Sequence, residues 1–227
     1  MDGAAAPRHP ARNEVVPFCT ALVQSVAVDE QPTDDDEPLL GNRTIAGCVG
    51  LALVAAAGTL AVATPLAALA TGVLALLMAL ITLIDLKHFL IPDVLSFPAV
   101  PLGFIANIAV FHPDDWMAGL TESLLGAALA GGGFYLMRAA WFRLRGFEGL
   151  GLGDVKLAAV AGAWLGPALL APTCLAAALA GLAAVGVAAL LPGRRIEMRD
   201  QIPFGSFIAP VVLLFWCWRL LDLAPPL

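Results

Sequence analysis

From Ile45 onward, apolar runs of membrane-crossing length alternate with short polar seams, whereas residues 1–44 show no sustained apolar period. A hydrocarbon core of about 30 Å needs about 20 helical residues. The pattern predicts seven helical spans, near 45–63, 66–84, 94–111, 119–140, 155–170, 173–191 and 204–223. Around Pro65 a tight turn between two Ala-rich helices competes with one kinked helix, and the length from Ile45 to Ile84 favours two crossings. Pro167 and Pro172 break the later run into a helical hairpin. The expected fold is all-α, a polytopic helical membrane protein with about seven transmembrane helices. Residues 1–44 are expected as a disordered acidic cytoplasmic tail, and 45–227 as one membrane-embedded domain. The tail lacks the basic start, apolar core and cleavage site of a secretory signal, so the first apolar helix is expected to be retained.

Composition agrees with the pattern. Of the residues 60% are hydrophobic and 13% charged, far from the roughly even apolar share and one-quarter charge of soluble domains. The net charge of -6 owes much to the tail run Asp34, Asp35, Asp36 and Glu37. No basic face for nucleic acid is visible. Cys19, Cys48, Cys174 and Cys217 are scattered and form no C-x-x-C pair, so no metal site is expected. Membrane lipids are the expected surroundings.

Charge also sets an orientation. With the N-terminus cytoplasmic, Arg8, Arg12, Arg43, Lys87, Arg138, Arg143, Arg145, Lys156, Arg194, Arg195 and Arg199 fall at or near the cytoplasmic side, and only Arg219 lies toward the other. The same arrangement places two acidic seams on one membrane face. One runs from Asp85 to Asp93, and the other is Gly149-Leu150-Gly151-Leu152-Gly153-Asp154-Val155-Lys156.

A carboxylate at the edge of hydrocarbon is costly and marks a candidate site. Asp85 ends a span, where the helix dipole disfavours negative charge, so local stability does not explain it. Asp154 precedes a helix and competes with a capping role; Asp93 follows Pro92 and reads as a helix cap or a supporting group. Two close carboxylates hold one proton between them, which suits peptide hydrolysis without a cofactor. Gly149, Gly151 and Gly153 are expected to give unusual backbone conformations and close approach to an extended peptide. Lys156 is expected to anchor at lipid headgroups or to bias the carboxylate electrostatically. The competing class is a non-enzymatic membrane component or an ion-coupled transporter, but carrier acids sit near the midplane rather than at span ends.

The ordered set Asp85 through Asp93, Gly151-Leu152-Gly153-Asp154-Val155-Lys156 and Ile202-Pro203-Phe204-Gly205 resembles the type IV prepilin peptidases, membrane aspartic proteases of the GxGD class. The resemblance covers roughly residues 66 to 210. It implies an inner-membrane enzyme that removes the basic leader of type IV prepilins or pseudopilins on the cytoplasmic side, with Asp85 and Asp154 as the catalytic pair. Asp93 would match a non-catalytic acid of the first motif, and Gly151, Gly153, Lys156, Pro203 and Gly205 would support the site. Longer members carry a cytoplasmic insertion with paired cysteines and also methylate the mature pilin. Lacking that pair, the chain resembles a short, protease-only form.

Overall fold

A computed structural model describes residues 41–147, 149–190 and 204–223. Residues 1–40 of the expected tail, the basic cluster Arg194, Arg195 and Arg199, and Ile202 and Pro203 lie outside the described residues. Among the described residues the chain forms seven α-helices and one 3-10 turn. These are α1 (Asn42–Leu60), α2 (Pro65–His88), α3 (Asp93–Phe111), α4 (Trp116–Arg145), α5 (Leu152–Leu165), the 3-10 turn Pro167–Leu169, α6 (Leu170–Leu190) and α7 (Gly205–Leu223).

The local sequence explains the divisions. At Pro65 the chain makes two helices: Thr64 caps α2, its Oγ1 accepting from the Ala67 N–H at 3.2 Å, and Pro65 takes the first helical position, where a missing N–H costs nothing. Asp115 caps α4 in the same way, accepting from the Ala118 N–H at 3.0 Å. Gly146 ends α4 at φ 74°, the left-handed conformation that glycine adopts without strain. Between α5 and the 3-10 turn, Gly166 turns the chain at φ 72°. Pro172 falls within the first turn of α6, so the break lies at Gly166–Leu169 rather than at both prolines.

Among the described residues, five segments are long and apolar enough to cross a membrane: Asn42–Leu60, Pro65–His88, Asp93–Phe111, Pro167–Val187 and Gly205–Asp222. Seven helices stand where seven spans were expected, and α4 and α5 are the two that fall outside this measure. In α4, Glu122, Arg138 and the run Gly131-Gly132-Gly133 lower the hydropathy of a 30-residue helix. In α5, the expected span 155–170 stops at Leu165, leaving 14 residues and about 21 Å. The chain is a multi-pass helical membrane protein.

Its core surrounds α5. Leu157, Val160, Ala163, Trp164 and Leu165 are all buried, and α2, α3, α4 and α7 supply the surrounding wall. Trp164 lies in the space left by Gly103: a methyl there would come within 2.6 Å of the indole. The indole N–H donates to the Ala99 carbonyl at 2.9 Å. Trp216 meets Trp164 edge to face at 5.2 Å and donates to Thr71 Oγ1 at 2.9 Å, so both buried indoles have their donors satisfied.

The two polar ends of this core are tied separately. At one end Arg219 makes two 3.0 Å hydrogen bonds to Glu122, donates to the Leu165 carbonyl at 3.2 Å and stacks over Phe111 at 3.8 Å. His112 pairs with the same Glu122 at 2.6 Å. Arg219, the outlier in the charge pattern, therefore closes the far end of α5. The other end holds the acidic seams.

Candidate active site

Asp85 sits in the last turn of α2 and is 5% exposed. Below it the chain reverses at Phe89, whose φ of 51° is left-handed and whose N–H donates to the Asp85 carbonyl at 2.9 Å. The turn sends Ile91 inward, where it is buried. Ile91 occupies the room that two glycines leave. A methyl on Gly153 would lie 3.0 Å from Ile91 Cβ, and one on Gly205 would lie 2.8 Å from Ile91 Cδ1.

Asp154 is the third residue of α5, and Gly151 occupies the N-cap position. The aspartate is therefore not the cap that its local sequence suggested. Its carboxyl reaches back and accepts from the Gly151 N–H, the glutamate's half of a capping box made by a shorter acid. Asp154 lies outside the five long apolar segments. Burial first, and the charge of Asp85 second, push its pKa up to about 6, against the opposing effect of N–H groups from Gly151 and Gly205. A carboxyl in that position holds its proton into the range where an ordinary aspartate has lost it.

The start of α7 joins the two acids. The Ser206 N–H donates to Asp85 Oδ2 at 2.7 Å and the Ser206 hydroxyl donates to the same oxygen at 2.8 Å, while the Gly205 N–H donates to Asp154. Consecutive residues of one helix thus hold carboxyls that are 69 positions apart in the chain. Gly205 is confined by contact: a methyl on it would lie 3.0 Å from Asp85 Oδ2.

The supporting residues fall differently from expectation. Asp93 opens α3 after Pro92 and makes no capping hydrogen bond with its side chain; its carboxylate pairs with Lys156 instead. Lys156 also lies 5.5 Å from the Phe97 ring centre, so it links the two seams rather than serving only as a headgroup anchor. The pair is well exposed, and such pairs contribute about 0–1 kcal/mol. Gly151 has an ordinary φ of −68°, and among the described residues positive φ occurs only at Phe89, Gly146 and Gly166. The conformational freedom expected of Gly149, Gly151 and Gly153 is thus not used. Gly149 and Gly153 admit close neighbours, Trp141 and Ile91. Arg138 Nε holds the glycine segment by donating to the Leu150 carbonyl at 3.0 Å. Ser206 was not foreseen, because a hydroxyl after Phe204-Gly205 signals nothing until its distant acceptor is known.

The sequence profile described as the type IV leader peptidase family matches residues 72–186, just over half of the chain. A prepilin leader peptidase/N-methyltransferase of Xanthomonas campestris is 33% identical over 61% of this chain and 47% of its own length. Its counterpart in Pseudomonas aeruginosa is 39% identical over 60% and 45% respectively. The chain spans about half the length of these two relatives. Leader peptidase HopD of Escherichia coli is 36% identical over 60% of this chain and 83% of its own. No solved structure gives a significant match. With the matched region enclosing Asp85, Asp154 and the whole of α5, the chain belongs to the type IV leader peptidase family.

Proposed function

We propose that the chain is an aspartic endopeptidase that removes the leader of type IV prepilins or pseudopilins, with Asp85 and Asp154 as its catalytic pair. The observation that carries this reading is the attachment of both carboxyls to Gly205 and Ser206, which sets two acids side by side at the edge of the apolar core. One proton on the pair serves both halves of hydrolysis. The ionised carboxyl takes a proton from water as the water oxygen bonds to the peptide carbonyl carbon, and the protonated carboxyl gives its proton to the carbonyl oxygen. Collapse of the tetrahedral species breaks the carbon–nitrogen bond, and the nitrogen takes up the proton first removed from water. The pair titrates in two steps that belong to both acids together.

Lys156 and Asp93 support this site from outside it. Their ion pair fastens the start of α5 to the start of α3, and so holds the Asp154 seam beside the Asp85 seam. The test is to co-express the chain with a type IV prepilin carrying a basic leader and to follow leader removal by gel shift. Cleavage should occur with the unaltered chain and persist within about fivefold in Asp93→Asn, as suits a surface ion pair. An uncut precursor with the properly inserted, unaltered chain overturns the reading.

The proposed orientation has the N-terminus and the acids on the cytoplasmic side, as the basic residues favour, and the family likeness supports the bacterial inner membrane. Leu90 is 56% exposed in the turn between Asp85 and Asp93. In a background without the native cysteines, Leu90→Cys should react with a membrane-impermeant maleimide only after the cells are opened. Labelling in intact cells reverses the topology.

A further inference from the structure

We propose that Ser206 is a positioning residue that decides which oxygen of Asp85 exchanges the proton. This rests on the reading of Asp85 and Asp154 as the working pair. A carboxylate oxygen offers two lone pairs in the plane of the group. Both lone pairs of Asp85 Oδ2 face donors from one residue, the Ser206 N–H at 2.7 Å and its hydroxyl at 2.8 Å. Among the described residues the other acceptor near that hydroxyl is the Thr82 carbonyl at 3.4 Å, so its single hydrogen belongs to the nearer carboxylate. Both residues are buried, Asp85 at 5% exposure and Ser206 at 6%, so water does not replace either donor.

Oδ2 is therefore an acceptor that stays occupied through the reaction, and Oδ1 is the oxygen that works. In the addition step a water proton goes to Asp85 Oδ1 while the proton on Asp154 goes to the substrate carbonyl oxygen. In the collapse step the departing nitrogen takes the proton from Oδ1, and a hydroxyl proton of the tetrahedral carbon returns to Asp154. Hydrogen bonds to a charged group are among the strong ones, so those to Oδ2 are strongest while Asp85 is ionised. The serine hydroxyl thus supports the form of Asp85 that can accept a proton. The next residue back, Gly205, gives its N–H to Asp154. Ser206 thereby ties the rotation of one acid to the anchoring of the other.

The test measures kcat, KM and the pH–rate profile of the full chain in proteoliposomes on a type IV prepilin with a basic leader. Ser206→Ala keeps the backbone donor and loses the hydroxyl; Ser206→Thr keeps both. Ser206→Ala should lower kcat by about 10- to 100-fold, the rate equivalent of one charge-assisted hydrogen bond, with KM within about twofold. The acid limb of its profile should move up by about one pH unit. Ser206→Thr should restore both. A wild-type rate and profile in Ser206→Ala overturns the proposal, and so does an equal loss in both variants with an unmoved acid limb, which marks a packing role. Asp85→Asn and Asp154→Asn run beside them separate the two readings. If those variants cleave, the working pair itself fails. If they do not cleave while Ser206→Ala is normal, only the role of Ser206 fails.

Discussion

Asp85→Asn and Asp154→Asn should each slow leader removal by at least about a thousandfold, and the double variant should be no slower than the worse of the two. The amide is nearly the size of the carboxyl, so it fills the same space and leaves the helices in place. What it cannot do is exchange a proton at the required atom. General acid–base help contributes about 10²–10⁴-fold at each group. Two groups acting on one shared proton fail together, so their losses do not multiply. Measurement of single-turnover cleavage with normally inserted variants checks this. A double variant slower than either single by the product of their effects separates the acids into independent roles. An Asp154→Asn variant that cleaves normally removes it from the chemistry.

The second large effect concerns stability. At the crossing of α4 and α5, a methyl on Gly126 would lie 2.1 Å from the Gly162 carbonyl oxygen, and a methyl on Gly162 would lie 2.1 Å from the Gly126 carbonyl oxygen. Backbone meets backbone there, with no flexible side chain to yield. Gly162→Ala must push the helices apart and disturb Trp164 and Leu165 two and three residues on. The loss should reach or exceed the upper end of the about 1–3 kcal/mol typical of overpacking. Gly132→Ala is the control on the same pair of helices, since a methyl there meets nothing within 4 Å. It should be neutral or stabilising by up to about 1 kcal/mol, as glycine is a poor helix former. Thermal unfolding of both variants in detergent checks the contrast, and equal midpoints would remove the crossing as a source of stability.

Much of the helical order was legible because lipid imposes a strong composition on what crosses it. Six of the seven expected segments coincide closely with helices, and Thr64-Pro65 carried the division between α1 and α2 in its own chemistry. The fate of α5 was not legible. Apolar residues continue through Ala168, Leu169 and Leu170, and hydropathy does not register the left-handed turn at Gly166 that ends the helix. Asp85 and Asp154 could be placed on one membrane face, yet the element that joins them comes from Gly205 and Ser206. Side-chain spacing along a helix reports local neighbours, while the partner of Arg219 is Glu122, 97 positions away. The glycines around Asp154 were visible as unusual, but the backbone freedom expected of them is not used, and Gly149 and Gly153 instead leave room for Trp141 and Ile91.

The brevity of α5 fixes a depth. Its last carbonyl is held by Arg219 at the far polar end, its first turn carries Asp154, and the whole helix is about 21 Å long. A bilayer's hydrocarbon slab is about 30 Å thick. The two lengths differ by about 9 Å. Either the lipid thins around the protein or the acids lie beneath the level of the surrounding headgroups, in a dimple that water must fill. On the proposed reading, a substrate's scissile bond meets the acids by sinking below that level, and bilayer thickness becomes a variable of the reaction.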